Sequence, residues 1–326
     1  MSSTSPESHI TVIDSKESLI PLLDSITSLA VEPPSLYINL EGIAVGRNGS
    51  ISILSLHIAP TRETYLIDIH SLQKTAFSTT TASGNSLKNI LESPTIPKVI
   101  FDIRNDSDAL FNLFQISVDG IKDLYLMERA ARNGSWETPS LTECVEKDRS
   151  RQISNKERTE WQKAKEDGRR VIASEKSGPF EVLNERPMKP EIIKYCQMDV
   201  LLFRSLYDIY SAAMRRKSHL HRWDSVLEET NDRIKESQNP LYDTHSDTKY
   251  FWWDDGSVCK RIYAWSDSIV GVAEAYEHAP DEDLSGLALQ CYEDSLGDMD
   301  GFHEDDVKKP GRRQYNTDYS STIPTL

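Results

Sequence analysis

Cysteine is scarce in this chain, and long apolar runs are missing altogether. The four cysteines among 326 residues, Cys144, Cys196, Cys259 and Cys291, stand far apart and form no C-x-x-C pair. Neither a disulfide framework nor a zinc site follows from that spacing, and a reducing intracellular compartment, cytoplasmic or nuclear, is expected. No stretch approaches the roughly 18 uninterrupted apolar residues of a membrane helix. The opening MSSTSPESHITVIDSKES lacks the basic and apolar regions of a secretory signal. A glycine-rich phosphate loop is also absent: Gly46-x-x-Gly49 lies between two apolar runs rather than before a helix, so nucleoside-triphosphate binding is unsupported. His57, His70, His219 and His221 have no partner at metal-ligand spacing and read as surface or core residues.

Positive charge is short as well, at 37 Lys and Arg against 52 Asp and Glu, a net of −15. Such a balance argues against a phosphate backbone as partner, because that affinity rests on Lys and Arg. The deficit is unevenly placed, however. Residues 31–222 hold 27 basic and 25 acidic side chains, a net of +2, which leaves −17 on the flanks 1–30 and 223–326. The near-neutral middle keeps a nucleic acid among the candidate partners. Residues 281–306 contain ten acidic side chains and no Lys or Arg, followed by a stretch without apolar periodicity. Residues 280–326 therefore read as a disordered acidic tail.

Three apolar runs, SLYINLEG, SISILSLHIA and TYLIDI, follow one another between residues 35 and 69, the first two flanking Arg47-Asn48-Gly49. Asn-Gly between apolar runs is a hairpin signal, so three consecutive antiparallel strands are predicted. LKNILES reads as a short helix and PKVIFDI as a central buried strand. Asn105 and Asp106 are placed to cap a helix made of SDALFNLF. IKDLYLMERAAR reads as a strand entering a helix, and Pro190 opens a long helix whose apolar residues recur at helical spacing through Tyr210. A meander followed by alternating helices and strands implies a mixed α/β sheet flanked by helices.

Residues 149–170 hold eight basic and four acidic side chains around Trp161. Two readings stand side by side: an arm that contacts a nucleic-acid backbone through Lys163, Lys165, Arg169 and Arg170, or a solvated helix face of mixed charge. Beyond residue 222, VLEETNDRIKESQNP reads as an extension helix. YFWWDDGSVCKRIYAW is rich in aromatics that either pack on the domain, dock a protein partner or stack on bases.

Three carboxylates stand where chemistry is plausible. Tyr195 and Asp199 are four residues apart, hence on one face of the long helix. Asp199 lies among Cys196, Met198, Val200, Leu201, Leu202 and Phe203, where an unpaired charge is costly. Glu41 sits in an apolar strand and shares a face with Tyr37 and Asn39. Asp106 is a carboxylate near a helix start, which capping alone explains.

The ordered set Asn39-Leu40-Glu41, Asp106 in FDIRNDSDALF and Tyr195-x-x-x-Asp199 resembles the DEDDy 3′→5′ exonucleases of the ribonuclease D type, and in particular the branch with the Egalitarian-like exonuclease-domain proteins. The resemblance covers about residues 30–215, through LYINLEGIAVGRNGSISILSL, KVIFDIRNDSDALFNLF, WQKAKEDGRR and ERPMKPEIIKYCQMDV. It implies a ribonuclease H-like core at 30–222 between an N-terminal segment at 1–29, an aromatic extension at 223–279 and the tail at 280–326. It further implies a two-metal site for Mg²⁺ or Mn²⁺ that hydrolyses phosphodiesters of single-stranded RNA or DNA. Glu41 and Asp199 would be metal ligands, Asp106 would act at the second metal, and Tyr195 would position the nucleophile. The family pattern opens Asp-x-Glu, and this chain has Asn39 in the Asp position, with one good acceptor oxygen and no charge. The departure implies a slow or Mn²⁺-dependent enzyme, with Asp102 or Glu32 compensating, or a non-catalytic domain that still holds RNA, as in the adaptors of that branch.

Overall fold

The computed structural model describes residues 9–131, 140–147, 152–173, 180–215 and 221–243, all within the unit Met1–Ala264. Six strands form one mixed sheet: β1 (Ile10–Ile13), β2 (Leu36–Glu41), β3 (Ile53–Ile58), β4 (Glu63–Asp68), β5 (Lys98–Ile100) and β6 (Ile121–Asp123), in the order β1-β4-β3-β2-β5-β6. The meander β2-β3-β4 is antiparallel, as expected, while β5 and β6 run parallel to β2 on one side and β1 runs parallel to β4 on the other. The Asn-Gly pair does lie in the β2–β3 connection, in a loop closed by Gly49 N–H donating to the Gly46 carbonyl at 3.1 Å and Ser50 N–H to the Ile43 carbonyl at 2.9 Å.

Strand alternation sorts β2 into two faces. Leu36, Ile38 and Leu40 are buried in the layer built from α1 (Lys16–Ile26), the short helices α2 (Ile69–Leu72), α3 (Thr75–Ser78) and α4 (Leu87–Glu92), and α5 (Ile103–Phe114). Tyr37 belongs to the opposite layer, with α6 (Leu124–Ala131), α7 (Leu141–Lys147), α8 (Asn155–Ala173) and α9 (Pro190–Met214). Asn39 and Glu41 fall on that same second face, so the polar residues of the strand look toward α8 and α9.

Within the N-terminal segment expected at 1–29, residues 10–26 take up regular structure. β1 adds an edge strand to the sheet, and Leu19, Leu22, Leu23 and Ile26 of α1 are buried in the core. The local cause is a capping box: Ser15 accepts from Ser18 N–H while the Ser18 side chain faces the Ser15 backbone, which starts a helix with one apolar stripe.

A correction concerns α5, which begins at Ile103 rather than after Asp106. Asp102 takes a left-handed φ of 60° and does not cap with its own side chain. The orphan amides at this helix start go to Asp123, which accepts from Asp102 N–H at 2.9 Å and Ile103 N–H at 3.3 Å. Asp106 therefore sits in the first turn. Residues 155–173 form the regular helix α8, so most of the basic segment belongs to a helix with an inner and an outer face.

The extension helix exists as α10 (His221–Ser237) and packs on α5, α6 and β6. Arg47, from the β2–β3 loop, clasps its far end. The Arg47 side chain pairs with buried Asp108 at 2.7 Å and donates to the carbonyls of Ser237, Asn239 and Pro240 at 2.8–2.9 Å. The aromatic stretch beyond residue 243 and the acidic tail at 280–326 lie outside the described residues. Among the described residues no helix is long and apolar enough to cross a membrane.

Candidate functional site

The candidate side chains meet at the carboxyl ends of β2 and β5, where the sheet changes from antiparallel to parallel pairing, a usual place for ligand sites in α/β sheets. β2 delivers Asn39 and Glu41, α5 delivers Asp106, and α9 delivers Tyr195 and Asp199. Asn39, Glu41 and Asp106 are half-buried, whereas Asp199 is buried at 3% exposure.

Both oxygens of Asp199 are already engaged. Trp161 Nε1 donates to Oδ1 at 3.0 Å and Lys165 Nζ donates to Oδ2 at 2.6 Å. Lys165 is itself buried at 6% exposure, and its ammonium lies 3.2 Å from the centroid of the Tyr195 ring. The charges of Asp199 and then Glu41 hold its pKa above the ordinary lysine value, against the effect of burial.

Glu41 accepts from Asn39 Nδ2 at 3.1 Å. Burial pushes its carboxyl up from 4.5 to about 7, with nearby Lys165 and the Asn39 hydrogen bond pulling down and Asp199 pushing up. Asp106 is held well above the usual carboxylate range by burial and by the charges of Asp102, Glu41 and Asp123. Burial raises Tyr195 to about 12, so the phenol keeps its proton at neutral pH.

Trp161 and Gly168 join this site without having been expected there, and Lys165, expected as a nucleic-acid contact, lies beside the carboxylates instead. They occupy one buried face of α8, together with Ala164 and Ile172. Gly168 lets α8 approach Tyr195: a Cβ there would lie 2.5 Å from Tyr195 Cδ2 and 2.7 Å from Tyr195 Cβ. The available signal was positional, since Trp161, Ala164, Gly168 and Ile172 recur at helical spacing and mark an inward face that also includes Lys165.

Lys165 is thus an inward group rather than part of an exposed arm. Lys163, Arg169 and Arg170 do lie on the solvent side, where Lys163 pairs with Asp167 at 2.7 Å and Arg170 with Glu166 and Asp167 at 3.0 and 3.2 Å. Both residues expected to compensate for Asn39 already have basic partners. Arg104 grips Asp102 through two hydrogen bonds of 2.7 Å, and Glu32 is exposed and pairs with Arg215 at 3.4 Å. His57 is a core residue, bonded to Thr64 Oγ1 at 3.1 Å and lowered by burial to about 4.

A family model for the 3′-5′ exonuclease matches residues 24–214, from the end of α1 to the end of α9. The chain belongs to the 3′-5′ exonuclease family. Its fold is similar to that of Trypanosoma brucei RNase D solved in complex with RNA U12, at 17% identity and a TM-score of 0.54, covering 74% of this chain and 75% of that one. T. brucei RNase D in its GMP complex is similar at 17% identity and a TM-score of 0.50, over 74% of this chain and 68% of that one. Among curated proteins, none matches the chain.

Exonucleases of this kind generally use divalent metal ions, so the donors here bear testing against such a group. They fit poorly. Asn39 brings an amide in place of the first carboxylate, Glu41 is bonded to that amide, and Asp199 has both oxygens occupied by an indole and an ammonium. Among the described residues no three His, Cys, Asp or Glu side chains converge as metal ligands would.

Proposed function

We propose that this domain binds the 3′ end of single-stranded nucleic acid, RNA in preference to DNA, at the junction of β2, α5, α8 and α9, and that phosphodiester hydrolysis there is impaired. The observation that carries the reading is the Asn39–Glu41 pair. The end of β2 presents one carboxylate hydrogen-bonded to an amide, where the family pattern presents two carboxylates. The family membership supports a nucleic-acid partner, and the RNA in the T. brucei RNase D complex supports RNA. Lys163, Arg169 and Arg170 are exposed on the helix that lines the site, within a surface of mixed charge where Lys163 and Arg170 pair with Glu166 and Asp167, and their donors are the ones available to phosphates.

A second reading, 3′→5′ hydrolysis in the presence of Mg²⁺ or Mn²⁺, draws support from the convergence of Glu41, Lys165, Asp199 and Tyr195 around one point. End-labelled single-stranded RNA and DNA separate the two readings. The expected result for the full chain is RNA binding whose affinity falls steeply with salt, with no degradation ladder. A ladder from the Asn39→Asp chain alone would locate the lesion at residue 39. A ladder from the natural chain that Asp199→Asn abolishes would overturn impairment and establish the second reading.

A further inference from the structure

The mismatch between the donor set and a divalent ion has a second source beside Asn39, the Lys165 ammonium. We propose that Lys165 is the resident cation of this site: it neutralises Asp199 and Glu41 where the family's divalent ion would stand, so that the domain holds nucleic acid without one. The inference rests on the nucleic-acid-binding reading above and deepens it.

Three observations carry it. Lys165 is held rather than loosely folded inward, since its ammonium contacts Asp199 at 2.6 Å and the Tyr195 ring at 3.2 Å, with 6% of the residue exposed. The remaining oxygen of Asp199 is also taken, by the Trp161 indole at 3.0 Å, which orients the carboxylate toward the lysine. The helix face is shaped for this arrangement, because only the missing side chain at Gly168 lets α8 lie against Tyr195. A divalent ion bound to the same Asp199 oxygens at about 2.0–2.1 Å would stand beside the ammonium and repel it. Metal entry therefore requires Lys165 to leave, and its burial against Asp199 and the Tyr195 ring opposes that exit.

Mn²⁺ titration of the full chain, followed by electron paramagnetic resonance, tests the proposal alongside RNA anisotropy in EDTA and in Mg²⁺. The natural chain is expected to take up no stoichiometric Mn²⁺ and to bind RNA equally with and without EDTA. Lys165→Met is expected to gain Mn²⁺ affinity by about ten-fold or more, with Mn²⁺ raising its melting temperature. Lys165→Arg, which keeps the cation, is expected to gain none. Should Lys165→Met fail to fold, Lys165→Gln takes its place in the same titration. Stoichiometric Mn²⁺ binding by the natural chain, or a loss of RNA affinity of about ten-fold or more in EDTA, overturns the proposal. Absence of RNA binding in every buffer overturns the reading of the preceding subsection instead, and the Mn²⁺ titration then decides Lys165 by itself.

Discussion

Two buried carboxylate clusters flank the carboxyl edge of the sheet, and they are neutralised in different ways. In the cluster under α10, Asp123 spends its oxygens on the backbone amides of Asp102, Ile103 and Tyr125, while Arg104 and Arg233 stack over the Tyr125 ring at 5.5 and 4.9 Å. In the cluster under α8, the partners of Asp199 among the described residues are side chains, an indole and an ammonium, and that of Glu41 is an amide. Carboxylates tied to backbone define the path of the chain. Carboxylates tied to side chains have partners that a ligand or a substitution can replace, which is the property of a site.

The sharpest way to break the comparison is to remove one cation. Lys165→Met leaves Asp199 buried beside no counter-charge and is expected to cost about 3–5 kcal/mol in denaturant unfolding. Adding Asp199→Asn to Lys165→Met should recover a large part of that loss. Full additivity of the two changes would show that the pair is not coupled. Gly168→Val comes next, because its side chain meets Tyr195 backed by α9, and a loss of about 1–3 kcal/mol is expected from overpacking. A stability equal to that of the natural chain would mean that α8 slides away from α9 without cost.

A subtler effect concerns pH. Glu41 is an acid raised from 4.5 to about 7, so between those values the folded chain retains a proton that the unfolded chain has lost. Folding stability should therefore fall as pH rises through that window, and Glu41→Gln should flatten the slope. An unchanged slope would assign the dependence to Asp106, which is raised as well. The smallest effects belong to the exposed face. Replacing Lys163, Arg169 or Arg170 by Ala should leave the melting temperature in place and lower the salt slope of RNA binding by about one for each phosphate no longer neutralised. An undiminished slope would move the nucleic acid to another surface.

The strands of the meander, the buried strand β5 and the long helix α9 were legible from the pattern of their apolar residues. Glu41 and Asp199 stood out for a related reason, as charges in apolar surroundings. The start of α5 was not legible, since its cap comes from Asp123 in the next strand and a positive φ at Asp102 replaces the local Asn-Asp signal. Lys165 was named as a contact to a nucleic-acid backbone and not as a partner of Asp199, because the basic segment was weighed by charge rather than by position. One lysine of that segment is turned to the core by the same periodicity that buries Trp161, Ala164 and Ile172. The edge strand β1, of four residues, is too short for alternation to announce it.

The Arg47 clasp bears on how the molecule can be cut. The family match ends with α9, yet Arg47 reaches past that limit to three carbonyls at the end of α10. A chain trimmed to the matched residues would strand the guanidinium's outer nitrogens and uncover the faces of α5, α6 and β6 that α10 protects. Expression of the exonuclease-like body as a separate piece thus calls for a boundary beyond Pro240, and a stop after Met214 yields a piece with a raw apolar flank.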